Sequence, residues 1–157
     1  MYKRQGVIGD GFVAGPSTDL ENTVALTSVY DQAAKSSGKD PVLCLMRDSW
    51  VSRTRAEAER VYGPEVIDAY KYYWRNGLNE FRQYTAEGEI NIDNMAPDRL
   101  IIGEPQEVVE DFHRWKEATS ADYFLLRLRH AHSGGPSHER ILEAIQLFGE
   151  EVIPHCQ

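Results

Sequence analysis

"VLCLMRDSWV" (residues 42–51) opens with five apolar residues and does not alternate with polar ones. A strand that faces water on one side alternates; a near-continuous apolar run marks a strand buried on both faces, as in a parallel sheet covered by helices. Asp40-Pro41 breaks the chain ahead of it. Behind it, Thr54-Arg-Ala-Glu57 has the hydroxyl and carboxylate of a capping box and opens a helix carrying Ala58, Val61 and Tyr62.

Working outward toward the start, "GVIGDGFVAGP" (residues 6–16) crowds four glycines into eleven residues. A dinucleotide fingerprint needs G-x-G-x-x-G after a strand and before a helix; Gly9, Gly11 and Gly15 have the wrong spacing. Asp10-Gly11 reads as a turn and Phe12-Val13-Ala14 as the strand it feeds. Thr18-Asp-Leu-Glu21 predicts a second capping box. Leu20, Val24, Val29 and Ala33 carry that helix to Gly38, a natural stop.

Toward the end, Gly63-Pro64 predicts an interruption of the helix begun at Thr54. Val66, Ile67, Tyr70, Tyr73 and Trp74 resume it until Asn76-Gly77. Residues 78–99 are polar and poorly periodic and predict an insertion or lid-like excursion. Leu100-Ile101-Ile102 is a short apolar piece. Glu104-Pro105 starts a helix with Val108, Val109, Phe112 and Trp115 on its buried side. "ADYFLLRLRH" (121–130) predicts a strand, and "AHSGGPS" (131–137) a loop. Ser137 caps a last helix carrying Ile141, Leu142, Ile145, Leu147, Phe148 and Val152. Repeated βα units with apolar strands mean parallel α/β. Gly6-Val7-Ile8-Gly9 reads as the last turn of a helix. "MYKRQ" has no apolar spacing and predicts an unrelated leader or frayed terminus over 1–5, with the domain over 6–157.

The net charge of −8 and a pI near 5.1 argue against nucleic acid and anionic membranes as partners. No apolar run reaches the roughly 18 residues of a membrane span, and Asp10 interrupts any signal peptide after Lys3 and Arg4. The two cysteines, Cys44 and Cys156, stand far apart, which fits a reducing, cytoplasmic setting. No C-x-x-C or H-E-x-x-H pattern occurs, so no metal site is expected.

Four segments resemble the C-terminal part of the bacterial luciferase-like flavin-dependent oxidoreductases. They are "IGDGFVAGP", "VLCLMRDSWVSRTRAEAERV", "DRLIIGEPQEVVEDFHRW" and "SADYFLLRLRHAHSGGPSHERILEAIQLFGEEVIPHC". The resemblance implies a (β/α)₈ TIM-type barrel of which this chain carries about three βα units, the last three strands, against the eight of a whole barrel. It implies reduced FMN as cofactor, or the deazaflavin F420, and a small organic substrate. It also implies monooxygenase chemistry, or hydride transfer in an F420-dependent dehydrogenase, and a homodimer when full length. The catalytic residues would lie in strands this chain lacks, so the fragment alone would be inactive. A non-enzyme alternative is a small standalone α/β module acting in assembly.

Function in such barrels sits at the C-terminal strand ends. Gly15, Arg47 and Arg127 are the candidate cofactor contacts, because a guanidinium can clamp a phosphate bidentately. Arg47 has as its alternative a structural pairing with Asp48 or a neighbouring loop. Arg127 shares one strand face with Tyr123 and Leu125, as does Arg129, and must meet an anion or an acidic partner. Arg129, His130 and His132 are the candidate substrate contacts; His130 and His132 flank the glycine-rich loop and are expected to be solvent-exposed. The Tyr70, Tyr72, Tyr73 and Trp74 cluster is expected to pack the core.

Overall fold

The computed structural model describes residues 1–130 and 134–156. Helix α1 (Tyr2–Ile8) leads into strand β1 (Phe12–Ala14), then α2 (Leu20–Ser36), β2 (Leu43–Val51) and α3 (Arg55–Arg75). Two short 3₁₀ turns, α4 (Ile92–Arg99), β3 (Leu100–Gly103) and α5 (Pro105–Thr119) follow. Strand β4 (Tyr123–Arg127) and α6 (His138–Leu147) complete the chain, α6 running on into a π-helical turn over Phe148–Val152.

The pairings among these four strands are parallel. Strand β2 is central: β1 pairs with Leu43–Leu45, β4 with Cys44–Asp48 and β3 with Asp48–Val51. The overlap of these ranges places β4 on one edge of β2, and β1 followed by β3 on the other. Thus β1, β2 and β4 are three adjacent strands, and β3 extends only the C-terminal end of β2. One face of the sheet carries Phe12, Leu43, Leu45, Arg47, Phe124 and Leu126, and α2 and α5 cover it. Phe12 meets Tyr30 at 5.3 Å between ring centroids, and Phe124 meets Phe112 edge-on at 5.0 Å. The other face carries Val13, Cys44, Met46, Asp48, Tyr123, Leu125 and Arg127, and α3 covers only its C-terminal part. The apolar side of β4 therefore meets a helix, as alternation along "YFLLR" requires.

Three expectations change, at Thr18, at Gly63-Pro64 and over residues 78–99. Residues 2–5 belong to α1, whose Tyr2 ring meets Phe12 at 5.0 Å. This helix packs through its glycine. A Cβ on Gly6 would lie 2.5 Å from the Tyr30 carbonyl oxygen. Gly6→Ala should push α1 off α2 and cost about 1–3 kcal/mol, the usual penalty of overpacking; an unchanged melting temperature would show that α1 is not held there.

Asp19, not Thr18, caps α2, its carboxylate accepting from the Asn22 N–H at 2.9 Å. Thr18 is drawn inward, its carbonyl accepting from Arg47. The cap of α3 is Thr54, as read, accepting from Glu57 N–H at 3.2 Å. That helix does not break at Gly63-Pro64. Proline forfeits one backbone bond, but Ala58, Tyr62, Val66, Ala69 and Tyr70 form one buried stripe across it, and burial on both sides outweighs the loss.

Residues 78–99 are not a lid. They form the turns Asn79–Phe81 and Glu87–Glu89 and helix α4, with Phe81, Ile90 and Met95 fully buried. Their apolar residues lack a period because each anchors a different short turn. Arg99 ties the segment down. It is 2% exposed and donates to the Ser17 and Glu80 carbonyls, pairs with Asp19 at 3.1 Å and lies 5.2 Å from the Phe81 ring centroid.

Candidate functional site

A carboxylate in the middle of the sheet organises the site. Asp48 is fully buried on β2, opposite Arg127 in the parallel register with β4. Arg127 Nε donates to Asp48 Oδ1 at 2.6 Å, and Nη2 to Oδ2 at 2.9 Å. The Tyr70 hydroxyl, from α3, donates to Oδ2 at 2.7 Å. This two-pronged, hydrogen-bonded pairing is what a buried charge requires. Burial acts to lower the Arg127 guanidinium, but the Asp48 hydrogen bond and charge hold its pKa above the ordinary arginine value.

Tyr62 lies one turn pair earlier on the same stripe of α3. Its hydroxyl donates to the Arg127 carbonyl at 2.7 Å and lies 2.9 Å from His130 Nε2. A phenol has one proton, and a carbonyl can only accept. The hydrogen between Tyr62 and His130 is therefore the imidazole's, carried on Nε2. His130 Nε2 is also 3.7 Å from Asp48 Oδ1. Trp50 stacks on Tyr62 at 5.4 Å with a 10° tilt. Burial, reinforced by the Asp48 charge, pushes both Tyr62 and Tyr70 well above the ordinary phenol range, so both stay neutral donors.

The structure brings two of the predicted residues together, Arg127 and His130, at the C-terminal end of β4. His130 is buried at 4% exposure, which corrects the expectation of a solvent-facing imidazole. Its bridge to Gly134 and the Tyr62 hydroxyl pull it under α3, with a carboxylate nearby that local sequence did not reveal. Arg129 is exposed, and His132 lies outside the described residues. Gly15 has open space around its Cα, and its carbonyl accepts from Arg47.

Arg47 turns to the other face of the sheet. It is fully buried and donates to the Gly15, Pro16 and Thr18 carbonyls and to Thr23 Oγ1, while its guanidinium sits 3.9 Å over the Trp115 ring. Burial lowers its pKa to about 10, so it is still a cation at neutral pH. Its Nη donors are spent on the β1–α2 loop and Thr23, and its Nε is buried without a partner among the described residues, so the guanidinium does not reach the Asp48–Arg127 face. The Nε and Nη2 of Arg127 are spent on Asp48. Arg47, which bonds the Gly15 carbonyl, and Arg127 therefore face opposite sides of the sheet and do not converge.

Asp48, Tyr62 and Tyr70 were not singled out as site residues in the sequence. The signal for the tyrosines was their spacing with Val66, i, i+4 and i+8 on one helix face. A separate cavity of about 300 Å³ opens past the end of β2, floored by Trp50, Val51, Ala144 and Leu147 and rimmed by the Arg140–Glu57 ion pair. It contains none of the predicted residues. Among the described residues no group of three or more His, Cys, Asp or Glu is placed to hold a metal ion. No helix is long and apolar enough to cross a membrane.

No protein-family model matches the sequence, and no curated protein matches it. Solved structures do. The monooxygenase RslO1 from Streptomyces bottropensis superposes with a TM-score of 0.70 at 18% identity, over 99% of this chain and 45% of that one. The oxygenating constituent of 3,6-diketocamphane monooxygenase from Pseudomonas putida, a type II Baeyer–Villiger enzyme solved with FMN, gives 0.70 at 18% identity, over 98% and 45%. This chain has the fold of part of a luciferase-like barrel. The F420-dependent tetrahydromethanopterin reductase of Methanopyrus kandleri matches as well, with a TM-score of 0.66 at 22% identity over the whole of this chain and 48% of that one. The chain thus spans less than half the length of these luciferase-like barrels. Its β1, β2 and β4 stand as three adjacent barrel strands, α2 and α5 as outer helices, and the Asp48–Arg127 face as barrel interior.

Proposed function

We propose that this chain is part of a flavin- or deazaflavin-dependent oxidoreductase acting on a small organic molecule, of the monooxygenase type that uses reduced FMN and oxygen. The fold, shared with FMN- and F420-dependent enzymes, carries the reading. Arg127 and His130 at the C-terminal end of β4, where barrel enzymes keep their chemistry, with Asp48 and Tyr62 bonded to them, support it. In this reading the cofactor supplies the redox chemistry, and this chain supplies a wall of the site. Asp48 fixes the Arg127 side chain, and Tyr62 holds the Nε2–H of His130. Arg127, with its side chain 23% exposed, donates through Nη1 to the Tyr73 hydroxyl at 3.5 Å. The hydride-transferring F420 alternative is supported by the Methanopyrus match and by that to an F420-dependent secondary alcohol dehydrogenase.

Titration of the purified chain with FMN and with F420, followed by fluorescence, tests the reading. Because Arg47 and Arg127 face opposite sides of the sheet and share no ligand, binding should be far weaker than micromolar, the level of about −8 kcal/mol. Arg127→Lys should weaken whatever binding there is. Micromolar affinity unchanged by Arg127→Lys would mean that the cofactor sits elsewhere.

A further inference from the structure

At the end of the sheet where the strands begin, away from Asp48 and Arg127, a cleft of about 270 Å³ lies between α2 and the end of α5. Leu43 lies at its base, and Asp122, at the entry to β4, stands on its wall. The hydroxyl protons of the wall are already spent. Thr27 donates to the Thr23 carbonyl at 2.9 Å, Ser28 to that of Val24 at 2.8 Å and Thr119 to that of Trp115 at 2.6 Å. A hydroxyl has one proton and two lone pairs, so each of these three can only accept from a ligand. The charges are one-sided as well. Lys35 is paired with Asp31 at 2.8 Å. Asp122 accepts the Leu43 N–H through Oδ2 at 2.8 Å and meets no cation among the described residues, which leaves one negative charge over. Ser120, also on the wall, follows α5 with φ 56° and is the only non-glycine residue with a positive φ among those described. Glycine is the usual residue at that position after a helix. A side chain held there against backbone strain points to a use for it.

We propose that this cleft binds a short aliphatic diamine in its doubly protonated form, one ammonium against Asp122, the other among the acceptors of α2, and the methylene chain over Leu43. An excess of acceptors and an unbalanced carboxylate select a cation with several N–H donors. An anion would face Asp122 and three hydroxyls with no proton to give. A neutral diol would supply donors but leave Asp122 without a counter-charge. Size agrees, because the cleft falls below the roughly 300–1,000 Å³ of sites for drug-sized ligands, so its occupant is small. No residue of the Asp48–Arg127 face takes part, and the inference is independent of the proposed function.

The test is a titration of the whole chain with 1,4-diaminobutane, followed by amide NMR shifts. It is run at about 0.15 M salt, where diffuse attraction to a net charge of −8 is largely screened. The expected result is saturable 1:1 binding, with shifts confined to residues 27–35, 41–43 and 118–122. Butane-1,4-diol, of the same length but uncharged, should bind at least tenfold more weakly. Asp122→Asn keeps an oxygen for the Leu43 N–H while removing the charge, and should weaken the diamine at least tenfold. Ser120→Gly should weaken it at least threefold without lowering the melting temperature, because glycine enters the left-handed region freely. The proposal is overturned if the shifts scatter over the surface without saturating, if the diol binds as tightly as the diamine, or if Asp122→Asn binds as tightly as the unaltered chain. Should Asp122→Asn fail to fold, unweakened binding by Ser120→Gly overturns it in the same way.

Discussion

Asp48→Ala should lower the unfolding free energy by about 3–5 kcal/mol, measured as a shift of the urea midpoint at constant slope. The carboxylate is fully buried and takes bonds from Arg127 Nε, Arg127 Nη2 and the Tyr70 hydroxyl. Removing it strands a guanidinium and a phenol in the interior, and the uncompensated charge dominates the cost. Replacing the whole group should cost less than removing one member. Asp48→Leu, Arg127→Met and Tyr70→Phe together leave no orphaned donor and should be more stable than Asp48→Ala alone. A triple variant as unstable as the single one would show that the network stabilises by more than avoiding unpaired charge.

Arg47→Leu should cost about 3 kcal/mol, on the scale of buried carbonyls left without donors. Arg47 draws the Gly15, Pro16 and Thr18 carbonyls together against one cation, and it also stacks on Trp115. Amide exchange should accelerate around residues 15–18 and at the start of α2, while β4 stays protected. Arg47→Lys should recover only part, because an ammonium cannot span carbonyls that converge from different directions or lie flat on an indole. Unchanged exchange around residues 15–18 in Arg47→Leu would mean that the loop holds its place without the guanidinium.

What the sequence by itself determined was local and repetitive. The apolar run at 42–46 marked a strand of a helix-covered parallel sheet. Alternation along 123–127 put Tyr123, Leu125 and Arg127 opposite Phe124 and Leu126, and the Thr54 hydroxyl set the start of α3. These follow from the backbone's own periods and from unsatisfied helix ends, which a few neighbouring residues settle. Tertiary structure decided the rest. Pro64 is overridden because burial on both sides of it belongs to one core. The turns of 78–99 are ordered by contacts with α2 and the loop ahead of it, remote in sequence. Arg47 and Asp48 are adjacent in the chain yet face opposite sides of the sheet, so one ties down a loop and the other anchors Arg127, 79 residues away. A charged pair inside a strand says only that each must find a partner, because burial of an unpaired charge is prohibitive. Which partner it finds depends on the register of β4 against β2, and that register is fixed by packing across the whole sheet rather than by any residue near Asp48.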